Sequence, residues 1–313
     1  MIYRIAAKCG DSYAKEKRGY LASSRIRIHW LSKYWDELDD CFYPEEFNQT
    51  SEKFFRVENQ LKILKDYDVV IFNKTYEWRL AKELTERGQK VIVDMCDPDH
   101  LLSHSSKQRI NDCLETFKYC AAIVVNGYEM RESVGGVAKK PIYIVPDRLD
   151  LEWHEPRKTI HNIEMKRLVW YGYNENLRVL EPYLYDILSQ GYDLTVLSDK
   201  FFSSLVLPGG WGKQITFKVW DPESANRIIR QHDCVFVGRD PDEYLRQFKS
   251  NNRAITSWAL GLPVAYDTKD LENLKSKTAR EINVNQGWYE VRRNYDIRHS
   301  AGEYDRIVKE ILK

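Results

Sequence analysis

Cys234-Val-Phe-Val-Gly238, Lys249-Ser-Asn-Asn-Arg253 and Gly261-Leu-Pro-Val264 follow one another late in the chain. The first is a short apolar run typical of a strand buried on both faces. The second is basic and amide-rich and stands where a helix over 251–260 begins. The third is a Gly-Pro turn into another strand, Pro263-Val-Ala-Tyr266. Strand, helix and strand in this order make a βαβ unit, and hence a parallel sheet. The helix start offers unpaired N–H groups and a partial positive charge. Lys249 and Arg253 add two full charges and a fork of donors. Such a site suits an anion, and a nucleotide diphosphate fits it.

The same alternation runs outward in both directions. Strand patterns fall at 3–8, 68–73, 90–95, 121–126 and 142–145, then at 167–173, 193–198, 215–220, 234–238 and 263–266. Helical patterns lie between them at 25–37, 56–65, 76–87, 106–119, 128–134, 175–190, 222–231, 251–260 and 269–280. Gly88 is placed to end the helix before the 90–95 strand. The alternation breaks after Pro146, in a polar stretch with several acids and bases. The expected organisation is therefore a Rossmann-like domain over 1–150, a linker over 151–166 and a second Rossmann-like domain over 167–298. An amphipathic helix over 299–313, with Tyr304, Ile307, Val308, Ile311 and Leu312 on one face, is expected to pack back on the first domain. Two such domains imply a cleft. Ligands would bind beyond the carboxyl ends of the strands, one substrate per domain.

Composition narrows the function. With 48 Lys+Arg against 47 Asp+Glu the net charge is +1. That balance argues against a broad nucleic-acid surface. No apolar run is long enough to cross a membrane, and no signal peptide is legible at the start, so a cytoplasmic location is expected. The six cysteines, Cys9, Cys41, Cys96, Cys113, Cys120 and Cys234, form no C-x-x-C pair and read as buried reduced thiols. His100 and His104, four residues apart beside Asp97 and Asp99, read as a polar loop rather than a metal site. Neither G-x-G-x-x-G nor a Walker A pattern occurs.

Several segments, in order and spacing, resemble the two-Rossmann-domain glycosyltransferases, the GT-B architecture. They are Ser23-Ser-Arg-Ile-Arg27, Ile144-Val-Pro-Asp-Arg-Leu-Asp150, Val169-Trp-Tyr-Gly-Tyr-Asn-Glu-Asn176, Trp220-Asp-Pro-Glu-Ser224, and Lys249-Ser-Asn-Asn-Arg253 with Ala259-Leu-Gly-Leu-Pro-Val264. The resemblance implies transfer of a sugar, hexose or pentose, from a nucleotide-diphosphate sugar to a hydroxyl. A UDP- or GDP-sugar is the expected donor. The acceptor class (glycan, lipid-linked saccharide or small molecule) stays open. Two departures stand out. Thr256 occupies the position, five before Gly261-Leu-Pro, where many retaining members carry an acid. The glycine pair often found after the first strand is also unclear, with Gly10 and Gly19 the nearest candidates.

Sugar transfer requires a neutralised leaving diphosphate, an oriented and deprotonated acceptor hydroxyl, and a held nucleoside. In this architecture cations and a helix N-terminus do the first, so no cofactor and no metal are expected. Lys249, Asn252, Arg253, Arg239, Gly172 and Asn174 are the diphosphate candidates, against a solvated helix start and a plain turn. Ser198, Asp199 and Trp220 are the nucleoside candidates, against strand ends and a core tryptophan. Asp221 reads as the N-cap of the next helix. Asp97, then His100, are candidates for the base, against a capping Asp-Pro-Asp turn. Arg25, Arg27, Lys74, Glu77 and Asn126 are acceptor-side or interdomain candidates. Alternatives remain at this level. One is a nucleic-acid glycosyltransferase acting on a hydroxymethylated DNA base, drawing on Lys15-Glu-Lys-Arg18, Lys139-Lys140 and Arg292-Arg293. Another is a nucleotide-sugar-binding protein without catalysis, prompted by Thr256. A sugar epimerase of similar build is a further possibility.

Overall fold

The β-branched runs form two wholly parallel sheets in the computed structural model, which describes residues 3–9, 21–39, 57–200, 211–240 and 242–313. Gly10, Gly19, Cys41 and the cluster Lys15-Glu-Lys-Arg18 lie outside the described residues. The chain divides into two compact units. Unit 1 is Met1–Asp150 with Gln247–Ser250 and Ile297–Lys313; unit 2 is Leu151–Arg246 with Asn251–Asp296.

Unit 1 contains β1 (Ile5–Lys8), β2 (Leu38–Asp39), β3 (Val69–Asn73), β4 (Lys90–Met95), β5 (Ala122–Val125) and β6 (Ile142–Ile144), in the order β2-β1-β3-β4-β5-β6. Every residue of β3 is buried, as a strand covered by helices on both faces requires. Its register with β4 sets Asn73 beside Asp94 at the carboxyl end. Helix Trp78–Glu86 ends on Gly88, whose φ of +89° closes the turn into β4. Helix Ile297–Ile311 buries Tyr304, Ile307 and Val308.

Unit 2 contains β7 (Arg167–Tyr171), β8 (Asp193–Ser198), β9 (Ile215–Val219), β10 (Cys234–Phe236) and β11 (Val264–Ala265), in the order β11-β10-β7-β8-β9. Its apolar cores lie on both faces of the sheet: Trp170, Ile187, Val196 and Phe236 in one, Val169, Leu197, Val235 and Leu260 in the other.

Three helical expectations are corrected. The 175–190 span is two 3-10 turns, Asn174–Val179 and Glu181–Tyr183, before helix Leu184–Ser189. Pro182 has no N–H to give to a preceding turn, so a continuous α-helix cannot form there. The 269–280 span breaks after Asn273, and helix Lys277–Asn294 starts anew from an Ser276 N-cap. Arg280 donates to the carbonyls of Leu274 and Lys275 at 2.7 and 2.8 Å, satisfying the backbone exposed by the break. The first helical pattern, read as 25–37, is Ala22–Ser24 followed by a π-helical stretch Arg25–His29 and a 3-10 turn Leu31–Lys33. Among the described residues no helix is long and apolar enough to cross a membrane, and the five described cysteines carry free thiols.

Candidate functional site

In unit 2 the chain steps from β7 outward to β8 and β9, then returns to place β10 and β11 on the other side. The crevice between the ends of β7 and β10 is thus a topological switch point, where open α/β sheets bind ligands. Both edges of it are fixed by backbone demands. Gly238 follows β10 with φ +72°, and a Cβ there would meet the Val179 carbonyl oxygen at 2.4 Å. Gly172 follows β7, and a Cβ would lie 3.1 Å from the Trp170 ring. Ser198 donates to the Gly172 carbonyl at 2.7 Å, and Asp199 accepts the Asn174 N–H at 2.7 Å. The β7 turn is therefore fastened to the end of β8.

Helix Asn252–Ala259 rises beside this crevice. The Tyr171 and Ser257 hydroxyls donate to the Arg253 carbonyl at 2.7 and 2.6 Å, which pins the first turn of the helix to β7. At its other end Gly261 has φ +79°, and a Cβ would fall 2.2 Å from the Lys158 carbonyl oxygen. The Arg253 side chain lies at this crevice, against one residue that follows β10 and one within β7. Its Nη1 donates to the Val237 carbonyl at 2.9 Å, and its Cζ stands 5.8 Å from the Trp170 ring centroid. Among the described residues no carboxylate pairs with it. Burial pulls this guanidinium below its ordinary pKa, with Tyr171, Asp240 and Tyr266 opposing. A half-buried arginine that binds one carbonyl and no anion, at a switch point and a helix start, has donors left for a phosphate.

The other unit 2 candidates divide. Arg239 is exposed and paired with Asp267 at 3.3 Å, over the Tyr266 ring. Ser198 is 1% exposed and its hydroxyl is spent on Gly172. Ser198 has no open polar group for a nucleoside contact, whereas Asp199 is exposed and its bonds go to Oδ1; both hold the β7 turn. Trp220 is half-buried against the core, its backbone N–H donating to the Ser198 carbonyl at 2.7 Å. Asp221 caps the following helix through the Ser224 N–H at 2.9 Å.

The carboxyl edge of the unit 1 sheet carries a charged cluster. Lys74 follows β3 in the left-handed region, φ 51°, and its ammonium pairs with Asp97, beyond β4. Burial acts to raise the Asp97 pKa. Lys74 outweighs it, with Lys249 and His104 adding, and holds the carboxyl below the usual range. Asp99 accepts two bonds from Arg109, at 2.9 and 2.8 Å, one from the Tyr76 hydroxyl at 2.8 Å and one from Ser105 at 3.2 Å. His104 Nε2 stands 3.7 Å from Asp99, and its ring lies in the fields of Asp97, Lys249 and Lys74 as well. Burial is the largest influence on it and lowers its pKa below 6.5. His100, the residue singled out from sequence, is buried, with Nε2 bonded to Ser133 at 2.7 Å. It is His104 that joins Asp97.

Lys249 belongs to unit 1, whereas Asn252 and Arg253 belong to unit 2. Asn126 explains the division. Its amide donates to the carbonyls of Cys96 and Phe248 at 3.2 Å each, and Phe248 is buried in the unit 1 core. Lys249 is thereby carried to Asp97 and His104. Arg27 is also placed otherwise than expected. Only 3% exposed, it donates to Asp94 at 2.7 and 2.9 Å, to Asp147 at 2.7 Å, to the Val145 carbonyl at 3.0 Å and to Tyr304 at 3.1 Å. Its donors are consumed inside unit 1, so it is a buried keystone there and not an acceptor contact. Glu77 is likewise engaged, with Lys8 at 2.5 Å and Gln60 at 3.0 Å. Arg25 lies over Trp30. Sequence reasoning missed His104, Arg109 and the Asp94–Tyr304 contact. Only for His104, beside the acids of its loop, was there a signal. Among the described residues no group of three or more His, Cys, Asp or Glu side chains is arranged to hold a metal ion.

The architecture matches solved structures over nearly the whole chain. HepE of Anabaena in complex with UDP and glucose aligns with a TM-score of 0.70 at 9% identity, covering 99% of this chain and 100% of that one. HepE with UDP-glucose aligns at 0.70 and 10% identity over 98% and 100%. A UDP-GlcNAc 2-epimerase from Methanocaldococcus jannaschii aligns at 0.50 and 10% identity over 98% of each chain. No family sequence model matches the chain, and no curated protein matches it in sequence. The fold is therefore the two-Rossmann-domain, GT-B, architecture, shared at an identity where likeness is one of fold.

Proposed function

We propose that the protein is a glycosyltransferase that moves a sugar from a nucleotide-diphosphate sugar to a hydroxyl acceptor. The observation that carries the reading is Arg253, a cation without an anion at the switch point of unit 2. In this reading the Arg253 guanidinium and the N–H groups at the start of helix Asn252–Ala259 take the charge of the departing diphosphate. Asn252, Gly172, Asn174 and Arg239 complete its surroundings, and Trp220 borders the nucleoside. The acceptor oxygen forms the new bond to the anomeric carbon as the bond to the diphosphate breaks. The acceptor's proton passes to the Asp97–His104 cluster. Lys74 keeps Asp97 ionised, and His104, with its lowered pKa, is neutral near pH 7 and able to accept a proton. Lys249 supplies positive charge to that cluster. The similarly folded HepE structures hold UDP and UDP-glucose, which makes uridine nucleotides the first to test and a hexose the first sugar. Because cations and helix amides supply the positive charge, the transfer is expected to be metal-independent. Free thiols suit a cytoplasmic location.

The test is a thermal-shift screen of UDP, GDP, ADP and CMP and their sugars, with and without EDTA, followed by product analysis with the selected donor. Stabilisation by one nucleotide diphosphate, unchanged by EDTA, supports the reading. Absence of stabilisation by all of them at millimolar concentration overturns it. Conversion of the free nucleotide sugar into its epimer, without transfer, would replace it with an epimerase.

A further inference from the structure

A second set of unpaired cations lies in unit 2, on elements the proposed donor site does not use. Helix Lys277–Asn294 carries Trp288 and Arg292 one turn apart. Gly287 seats this helix tightly, since a Cβ there would fall 2.2 Å from the Trp258 ring. The Arg157 Cζ stands 3.9 Å from the Trp288 ring centroid and the Arg292 Cζ 5.8 Å from it, so two guanidinium groups share one indole. Arg230 ends helix Pro222–Arg230, which Asn226 ties to the segment before Arg157 by a 2.8 Å bond to the Trp153 carbonyl. Arg157 Nε and Arg230 Nη1 are buried and have no hydrogen-bond partner. Among the described residues none of the three arginines forms an ion pair. Glu155 lies within the field of both Arg157 and Arg230, yet its carboxylate accepts the Arg157 backbone N–H at 3.1 Å and pairs with neither side chain.

We propose that Arg157 and Arg292 form a second anion site on Trp288, built for a phosphate group. Buried donors without acceptors are destabilising, and like charges on one ring repel. An anion relieves both at once. Burial depresses the pKa of Arg157 and of Arg230; Glu155 opposes it at both, and Arg292 adds to it at Arg157. A guanidinium fork matches phosphate oxygens in pairs. Two forks on one indole, brought by two separate segments, can together reach several oxygens of a tetrahedral group. The indole fixes both in place before the ligand arrives.

The probe is inorganic phosphate, titrated at constant ionic strength against the indole N–H resonance of Trp288, assigned with Trp288→Phe. A parallel arm measures co-sedimentation with vesicles of phosphatidylglycerol and phosphatidylcholine, against phosphatidylcholine alone. A saturable phosphate shift, weakened about tenfold or more in Arg157→Gln/Arg292→Gln and retained in Arg253→Ala, supports a site for soluble phosphates. Binding to the anionic vesicles alone, lost in the same double variant, supports the site with a lipid phosphate as its ligand. Arg292→Gln, at an exposed position, serves if the double variant fails to fold. The proposal is overturned if neither probe binds, or if the arginine variants bind as tightly as the parent. Because Arg253→Ala leaves this site intact, its failure and that of the donor site are separable.

Discussion

Replacing Arg27 by Met tests the assignment of that residue to the interior. The substitution keeps an unbranched stem and removes the guanidinium from between Asp94, 0% exposed, and Asp147, 6% exposed. Breaking a buried ion pair by removing one partner costs about 3–5 kcal/mol, because the other charge stays buried. Asp94 would retain the Asn73 amide at 3.2 Å and the Tyr304 hydroxyl at 2.9 Å, which favours the lower part of that range. The loss should also depend on pH. Burial already raises the Asp94 pKa above 3.8, and Arg27 is the largest influence opposing it. Without Arg27 the folded-state value climbs further. A carboxyl whose pKa is raised on folding contributes stability below its unfolded value and loses it as pH rises through the folded one. Arg27→Met should therefore be penalised more at pH 8 than at pH 5.5, by up to about 1.4 kcal/mol per pH unit for one proton. Urea unfolding of both proteins at the two pH values measures this. A loss under about 1 kcal/mol, or a loss equal at both pH values, would refute the keystone role.

Other outcomes follow from the same geometry. Gly261→Ala should destabilise unit 2 well beyond Gly191→Ala. Both have φ near +80°, but only the former would drive a Cβ into a backbone oxygen. About 1 kcal/mol is expected for the conformational penalty at Gly191 and a clash on top of it at Gly261; equal melting points would contradict this. His100, His104, His161 and His232 are each held below 6.5, chiefly by burial. The unfolded chain therefore binds their protons first. Stability should fall as pH drops below 6.5 and level off beneath the folded values, and ring titration by NMR should give midpoints under 6.5. If transfer is the activity, His104→Gln should lower kcat by about 10²–10⁴-fold at unchanged donor affinity, and His100→Gln far less. The reverse ranking would move the proton transfer to His100.

The strands were the most legible part of the chain. β4 and β8 occupy the residues that their apolar runs predict, because a strand buried on both faces admits few polar side chains. β2 is two residues long and leaves no periodicity to read. The helix faults came from local chemistry with a recognisable cause at Pro182 and a tertiary one at Arg280, whose guanidinium completes a break that pattern alone does not announce. At the candidate site, where each strand ends was readable; which side chains meet was not. Asp94 and Asp147 reach Arg27 from 67 and 120 positions away, so a basic residue near the start of a helical segment gave no hint of burial. Lys249 and Arg253 are four residues apart and look like one motif. Asn126 and Phe248 hold the first in unit 1, while Tyr171 and Val237 hold the second in unit 2. His100 and His104 differ only in how the loop after β4 turns, and that turn is set by the bonds gathered on Asp99.

The most direct measurement is a calorimetric titration of UDP into the parent protein, Arg253→Ala and Lys249→Ala, in buffer containing EDTA, repeated with GDP if UDP gives no heat. The account predicts saturable binding to the parent, a loss of about 1.5–3 kcal/mol in Arg253→Ala for a charge-assisted phosphate contact, and a smaller change in Lys249→Ala. Undiminished binding by Arg253→Ala would contradict the claim that this unpaired arginine at the switch point receives the nucleotide's diphosphate.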